Sequence, residues 1–199
     1  KIKYEFTANV IYSFLVVIFH EKYIFKGIEI PISISALLGT AVSLLLAFRT
    51  NQAYERWWEA RKAWGSITND SRTLIRQILT FYNSSDKEAF VKDFVNKQIA
   101  WCYVLGERLR GGTDFEYANK YLNLEGLKKN KNIPNAILTL KGNLIKKALE
   151  NKSINEFQQI QLDSTISRLC DSMGICERIK FTPFPVTYSI LLHFLIYIF

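Results

Sequence analysis

The residue types that carry most catalytic and metal chemistry are scarce in this chain. Its three cysteines, Cys102, Cys170 and Cys176, form no C-x-x-C and an odd set. That argues against a disulfide framework or a zinc ribbon and fits a reducing compartment. There are only two histidines, His20 and His193, so no His-rich metal constellation can form. Gly111-Gly112 belongs to neither phosphate-cradling pattern, G-x-x-x-x-G-K-[ST] or G-x-G-x-x-G. There is no nucleophile elbow and no paired-carboxylate motif. The acidic residues are interleaved with basic ones along helical stretches, where ion pairs are the simple reading. The pattern points away from an enzyme.

One dense cluster remains: Arg49, Tyr54, Arg56, Trp57, Trp58, Arg61 and Trp64. Cations interleaved with aromatics can stack on bases, or they can anchor a helix at a membrane surface and fill contacts between subunits. Position favours the second use. Residues 30–48 directly before the cluster hold no charge, and nineteen residues of helix span about 28 Å, near the hydrocarbon thickness of a bilayer. No Pro or Gly interrupts the passage from that run into the cluster. A membrane helix continuing into a soluble one is the expected element.

The rest of the chain is segregated in the same way. Residues 6–19 are uncharged and apolar, and residues 183–199 carry no charge except on His193. Residues 49–182 hold 22 of the 26 Lys/Arg. A basic n-region at Lys1 and Lys3 followed by an apolar core also has the form of a signal peptide. However, the run ends in Phe19-His20-Glu21-Lys22 and not in a small-x-small cleavage site, so a membrane helix fits better. The last apolar run has no polar flank and the first residue is Lys, so a longer natural protein with at least one more membrane helix is expected. Basic residues crowd the inner ends of the runs: Arg49, Arg56, Arg61 and Lys62 after the second, Arg168, Arg178 and Lys180 before the third. The loop at 20–29 is balanced. The middle of the chain is therefore expected in the cytoplasm. The net charge of +8 does not signal nucleic acid, because the basic residues alternate with acidic ones.

Helical spacing predicts one helix over 49–82, with Trp57, Ala60, Trp64, Ile67, Leu74 and Ile78 on its apolar side. Ser85 or Asp86 should open a helix to about Leu109, stopped by Gly111-Gly112. Residues 113–133 read as loop with a short helix around 123–129. Pro134 suits the first turn of a helix to about Asn151. Ser153-Ile154-Asn155-Glu156 matches a capping box opening a helix over 154–180. Pro183 and Pro185 mark a stiff turn before the last apolar run. No stretch alternates long enough for a strand, and the fold class is all-α.

The run Phe48-Arg49-Thr50-Asn51-Gln52-Ala53-Tyr54-x-Arg56-Trp57-Trp58-Glu59-Ala60-Arg61-x-x-Trp64-Gly65, then Arg72-Thr73-Leu74-x-Arg76-Gln77, resembles the bestrophin family in its prokaryotic branch. So does Cys176-Glu177-Arg178-Ile179-x-x-Thr182-Pro183-x-Pro185-x-x-Tyr188. The resemblance spans essentially the whole chain and is weakest over 83–150. It implies a homopentamer of helical subunits around one ion pore, embedded in membrane lipid. It divides the chain into residues 1–48, the first two transmembrane helices with the pore neck; residues 49–182, a cytosolic helical domain; and residues 183–199, the start of a third transmembrane helix. The family's fourth membrane helix and the acidic stretch after it are not among these residues. In animal members that stretch helps to form a calcium site, so calcium or another divalent ion is the one cofactor the resemblance raises.

By position, the resemblance places inward-facing neck rings at Thr40, Leu44 and Phe48, spaced i, i+4, i+8 on one helical stripe. Five-fold rings of apolar side chains hold back hydrated ions by dewetting. Thr40 stands where the family usually has an aliphatic residue, which makes the neck wetter. The other reading of Leu44 and Phe48 is packing against lipid or neighbouring helices. Small residues at Ser33, Ser35, Ala36, Gly39, Ala41, Ser43 and Ala47 permit close helix approach. A second constriction at the cytosolic exit falls, by position, on Phe157, which reads equally as core of a helical bundle. Arg49, Trp57, Trp58 and Arg61 belong to the vestibule or to subunit contacts.

The expected function is a channel for small monovalent ions. Family naming and basic charge favour chloride and other anions. The uncharged neck leaves a cation channel of the same fold open. A membrane scaffold or transporter is the rival of another class, although a transporter would show inverted repeats and polar breaks within its spans.

Overall fold

The structure, a computed structural model, describes residues 2–20, 22, 31–183 and 185–198. Among them there is no strand, in agreement with the all-α expectation. The elements are α1 (Ile2–Phe19), α2 (Ile32–Phe81), α3 (Lys87–Arg110), α4 (Glu116–Asn119), a 3-10 turn (Glu125–Leu127), α5 (Ile133–Glu150), α6 (Glu156–Phe181) and α7 (Val186–Ile198). The loop expected at 20–29 lies almost wholly outside the described residues, as does Phe184.

α2 runs unbroken through 50 residues. Its lower half has no Pro and its one interior Gly there, Gly65, opens onto empty space. The chain divides into two compact units, one of residues Lys1–Arg49 with Val186–Phe199 and one of Thr50–Pro185. In the first unit, Leu38, Gly39, Ala41, Val42, Leu45 and Arg49 of α2 are partly covered, and Leu192 of α7 is buried.

The second unit is a helical bundle in which α5 packs on both α3 and α6. Its core is Ile67, Leu74 and Ile78 from α2, Phe94, Trp101, Val104 and Leu105 from α3, Ile137 and Ile145 from α5, and Leu162 and Leu169 from α6. The inward face of α2 matches the expected one at Ile67, Leu74 and Ile78 and departs from it at the two tryptophans. Ala63 is buried, whereas Trp57 and Trp64 are exposed, because the stripe that closes the bundle runs through Ala63, Ile67, Leu74 and Gln77–Ile78.

Local signals set the helix ends. Gly111 takes φ +84°, a left-handed value that suits glycine, and the N–H groups of Gly111 and Gly112 close the last turn of α3 on Arg108 O and Glu107 O. Asn132 caps α5 by accepting from Asn135 N at 3.1 Å, with Pro134 in the first turn. The opening of α6 corrects the expected capping box by two residues. Asn155 is the cap and Gln158 its reciprocal partner, both bonds being 2.9 Å. Ser153 is buried in the preceding turn, where its N–H reaches Ala148 O and its carbonyl accepts from Asn83 N. Asp86 precedes α3 without a side-chain cap bond and accepts instead from Tyr82 Oη at 2.9 Å. α4 lies within the stretch that reads as loop, and the short helix expected at 123–129 is the 3-10 turn.

Candidate functional site

The upper half of α2 has the length and apolarity to cross a membrane, and none of that apolar window is buried by the chain itself. Such a helix needs lipid or a partner to cover it. Within it, Thr40, Leu44 and Phe48 lie on an exposed stripe; Leu44 is 57% and Phe48 53% exposed. The Thr40 hydroxyl donates to Ala36 O at 2.8 Å, so its hydrogen atom is used inside the helix. The partly covered residues Leu38, Ala41, Val42 and Leu45 fall on other sides. The three residues named from the sequence therefore share one face that the single chain leaves uncovered.

Below them, Arg49 is partly buried. The aromatic cluster is a staircase on the outside of α2. Tyr54 and Trp57 have ring centroids 5.7 Å apart, Trp57 and Trp58 6.1 Å apart, and the Arg61 guanidinium lies 5.9 Å from the Trp57 centroid. Tyr54, Trp57 and Trp58 are all exposed in the single chain.

Arg56 and Glu59 fasten α2 to the end of α6. Arg56 Nη1 donates to Thr182 O at 2.7 Å and Nη2 to Ile179 O, so one guanidinium satisfies two carbonyls at the end of α6. One turn further on, Glu59 pairs with Arg178. These groups, with Gln52, Glu55 and Pro183, line a cleft of about 380 Å³. Lower still, Arg168 Nε donates to Asp70 at 2.8 Å, and the Thr165 hydroxyl donates to the buried Gln77 Oε1 at 2.9 Å. Five polar contacts thus bind α2 to α6 and its C-terminal cap. Their partners lie 88 to 126 residues apart, a separation no local pattern in one sequence reveals.

Phe157 occupies the first turn of α6 and is 81% exposed. It is not core of the helical bundle, which removes that alternative. Ile160, one turn on and 64% exposed, continues the same apolar face. Burial pushes the Cys102, Cys170 and Cys176 thiols up, so all three are poor nucleophiles near neutrality. Among the described residues no three His, Cys, Asp or Glu side chains converge to hold a metal ion.

The model of a family described as Bacterial/Fungal Bestrophin protein matches residues 1–199. The voltage-dependent anion channel-forming protein YneE of Escherichia coli is 32% identical over 202 residues, taking in 100% of this chain and 66% of that protein. A voltage-dependent anion channel-forming protein of Nostoc sp. is 34% identical over 177 residues, covering 82% of this chain and 56% of its own length. Among solved structures, a bacterial bestrophin homologue from Klebsiella pneumoniae superposes with a TM-score of 0.86 at 29% identity, covering 100% of this chain and 74% of that one. The chain spans about two thirds of the length of its E. coli relative.

Proposed function

This chain belongs to the bacterial/fungal bestrophin family, and on that premise we propose that it is the subunit of a membrane ion channel that passes small monovalent anions, chloride among them. The observation that carries the reading is the uncovered stripe of Thr40, Leu44 and Phe48 on a long apolar helix. In a homopentamer one such helix from each subunit lines the axis, and each stripe residue becomes a ring of five. The Leu44 and Phe48 rings form a dry neck that dewets when narrow, and the Thr40 hydroxyl oxygens wet its other end.

The remaining assignments follow from this arrangement. Residues 1–48 hold the first two transmembrane helices, residues 183–199 start a third, residues 49–182 form the cytoplasmic domain, and the protein is multi-pass. Phe157 forms a second constriction at the cytosolic exit, supported by its exposure in the single subunit. Arg49 draws anions toward the vestibule, while Trp57, Trp58 and Arg61 fill the membrane boundary and subunit contacts. Conduction is passive, and no residue is assigned a catalytic role.

The anion reading is supported by the names of the relatives and by the net charge of +8. Reversal potential in asymmetric KCl tests it, using the purified protein in a planar bilayer. A reversal potential toward the chloride equilibrium value supports the proposal. One toward potassium makes this a cation channel of the same fold. Absence of single-channel steps over a wide range of voltage and divalent-ion concentration favours a scaffold.

A further inference from the structure

Lys141, in the middle of α5, has no exposed surface and is among the largest fully buried side chains of the core. Among the described residues no carboxylate pairs with it. Its Nζ donates to Gln98 Oε1 on α3. Gln98 Nε2 donates to Ser71 Oγ on α2 at 2.8 Å, and the Ser71 hydroxyl donates to Ile67 O at 2.6 Å. The Lys141 amine also lies 5.2 Å from the centroid of the Trp101 ring. A single line of polar groups therefore ties α5, α3 and α2 together through an otherwise apolar interior.

An ammonium in such a place loses its hydration without gaining a counter-ion, whereas a neutral amine there loses much less. Burial lowers the Lys141 pKa from 10.5 to about 7, with a smaller opposing pull from Cys102. The groups that bear on it are few. α3 presents the Cys102 thiol and the Gln98 amide, α2 presents Ser71, and α6, which also packs on α5, brings no charged group into interaction with the amine.

We propose that the Lys141–Gln98–Ser71 line is a proton-sensitive latch on the helical core, closed while Lys141 is a neutral amine and loosened as it takes up a proton. When the core opens and water reaches the amine, the ordinary lysine value returns. Between about 7 and 10.5 the opened core binds a proton that the closed core does not, so each unit of falling pH favours opening about tenfold. Below about 7 both forms are protonated and the slope vanishes. The latch is independent of ion conduction.

Amide hydrogen exchange on the detergent-solubilised full chain tests this, between pH 6 and 9 with correction for intrinsic exchange. The amides read are those of α3 near Gln98 and Cys102 and of α5 near Lys141. Protection is expected to fall about tenfold per unit as pH is lowered from 9 to 7, then to level off. Lys141→Met should give a flat profile, its level set by the lost Gln98 contact, and Lys141→Arg, charged at every pH used, a flat profile at the loosened level. A flat profile in the parent, or a slope that survives in Lys141→Met, overturns the latch. If neither variant assembles, the parent profile alone decides. A chain that fails to conduct leaves this readout unchanged.

Discussion

Arg56 on α2 donates to the carbonyl oxygen of Thr182 at 2.7 Å across 126 residues of sequence, and its second nitrogen holds Ile179 O. A forked cation thus closes the carbonyl end of α6, where the helix dipole favours positive charge. Arg178, in that same last turn, pairs back to Glu59 on α2. The long helix and the last turn of α6 are fastened twice within one cleft.

Arg56→Ala should therefore destabilise the protein by about 1 kcal/mol, since the site is exposed and only a charge-assisted cap is lost. Arg56→Lys should recover less than half of this, because a point charge cannot span both carbonyls. Thermal unfolding in detergent measures both. A lysine variant as stable as the parent would show that the fork is not what matters.

Leu44→Ala with Phe48→Ala widens and wets the neck in the proposed channel. The double variant should remain pentameric by light scattering and pass more current than the parent. A pair buried between helices would instead lose roughly 2–5 kcal/mol at each position and weaken the oligomer. Disassembly, or an intact assembly with unchanged current, would remove this stripe from the ion path.

Phe157→Ala truncates a side chain the single subunit leaves uncovered. Stability should stay within about 0.5 kcal/mol of the parent while conductance changes. A large stability loss with unaltered current would place the ring in a subunit contact.

Lys141→Met removes the buried amine, and its effect should change sign with pH. The lowered lysine value costs the folded parent on the order of 4–5 kcal/mol at and below neutral pH, and this cost fades toward pH 10.5. The methionine variant leaves Gln98 Oε1 without its donor, a penalty of about 1–3 kcal/mol at any pH. The variant should melt above the parent at pH 7 and below it at pH 10. Parallel melting curves across that range would contradict a neutral-leaning Lys141.

Much of the architecture was legible in the chain, because local physics writes it there. An uncharged run passing into a mixed-charge helix without Pro or Gly at the junction gave α2. Gly111 marked the end of α3, and Pro134 marked the first turn of α5. The Phe48–Gly65 motif carried the family, since a long ordered run of Arg, Trp and Glu rarely recurs by chance. Where two local signals competed, sequence could not choose. Ser153 with Glu156 and Asn155 with Gln158 both fit a capping box, and the pairing of Ser153 with Asn83 across the turn decided between them. Ile67, Leu74 and Ile78 of α2 face the bundle as their spacing implies, but large aromatics also look like core, and Trp57 and Trp64 are outside while Ala63 is inside. Contacts such as Arg56 with Thr182 and Asp70 with Arg168 depend on chain distant in sequence. Lys141 is the clearest case. One lysine among many reads as a solvated charge, and only the packing of α5 between α3 and α6 removes its water and lowers its affinity for a proton.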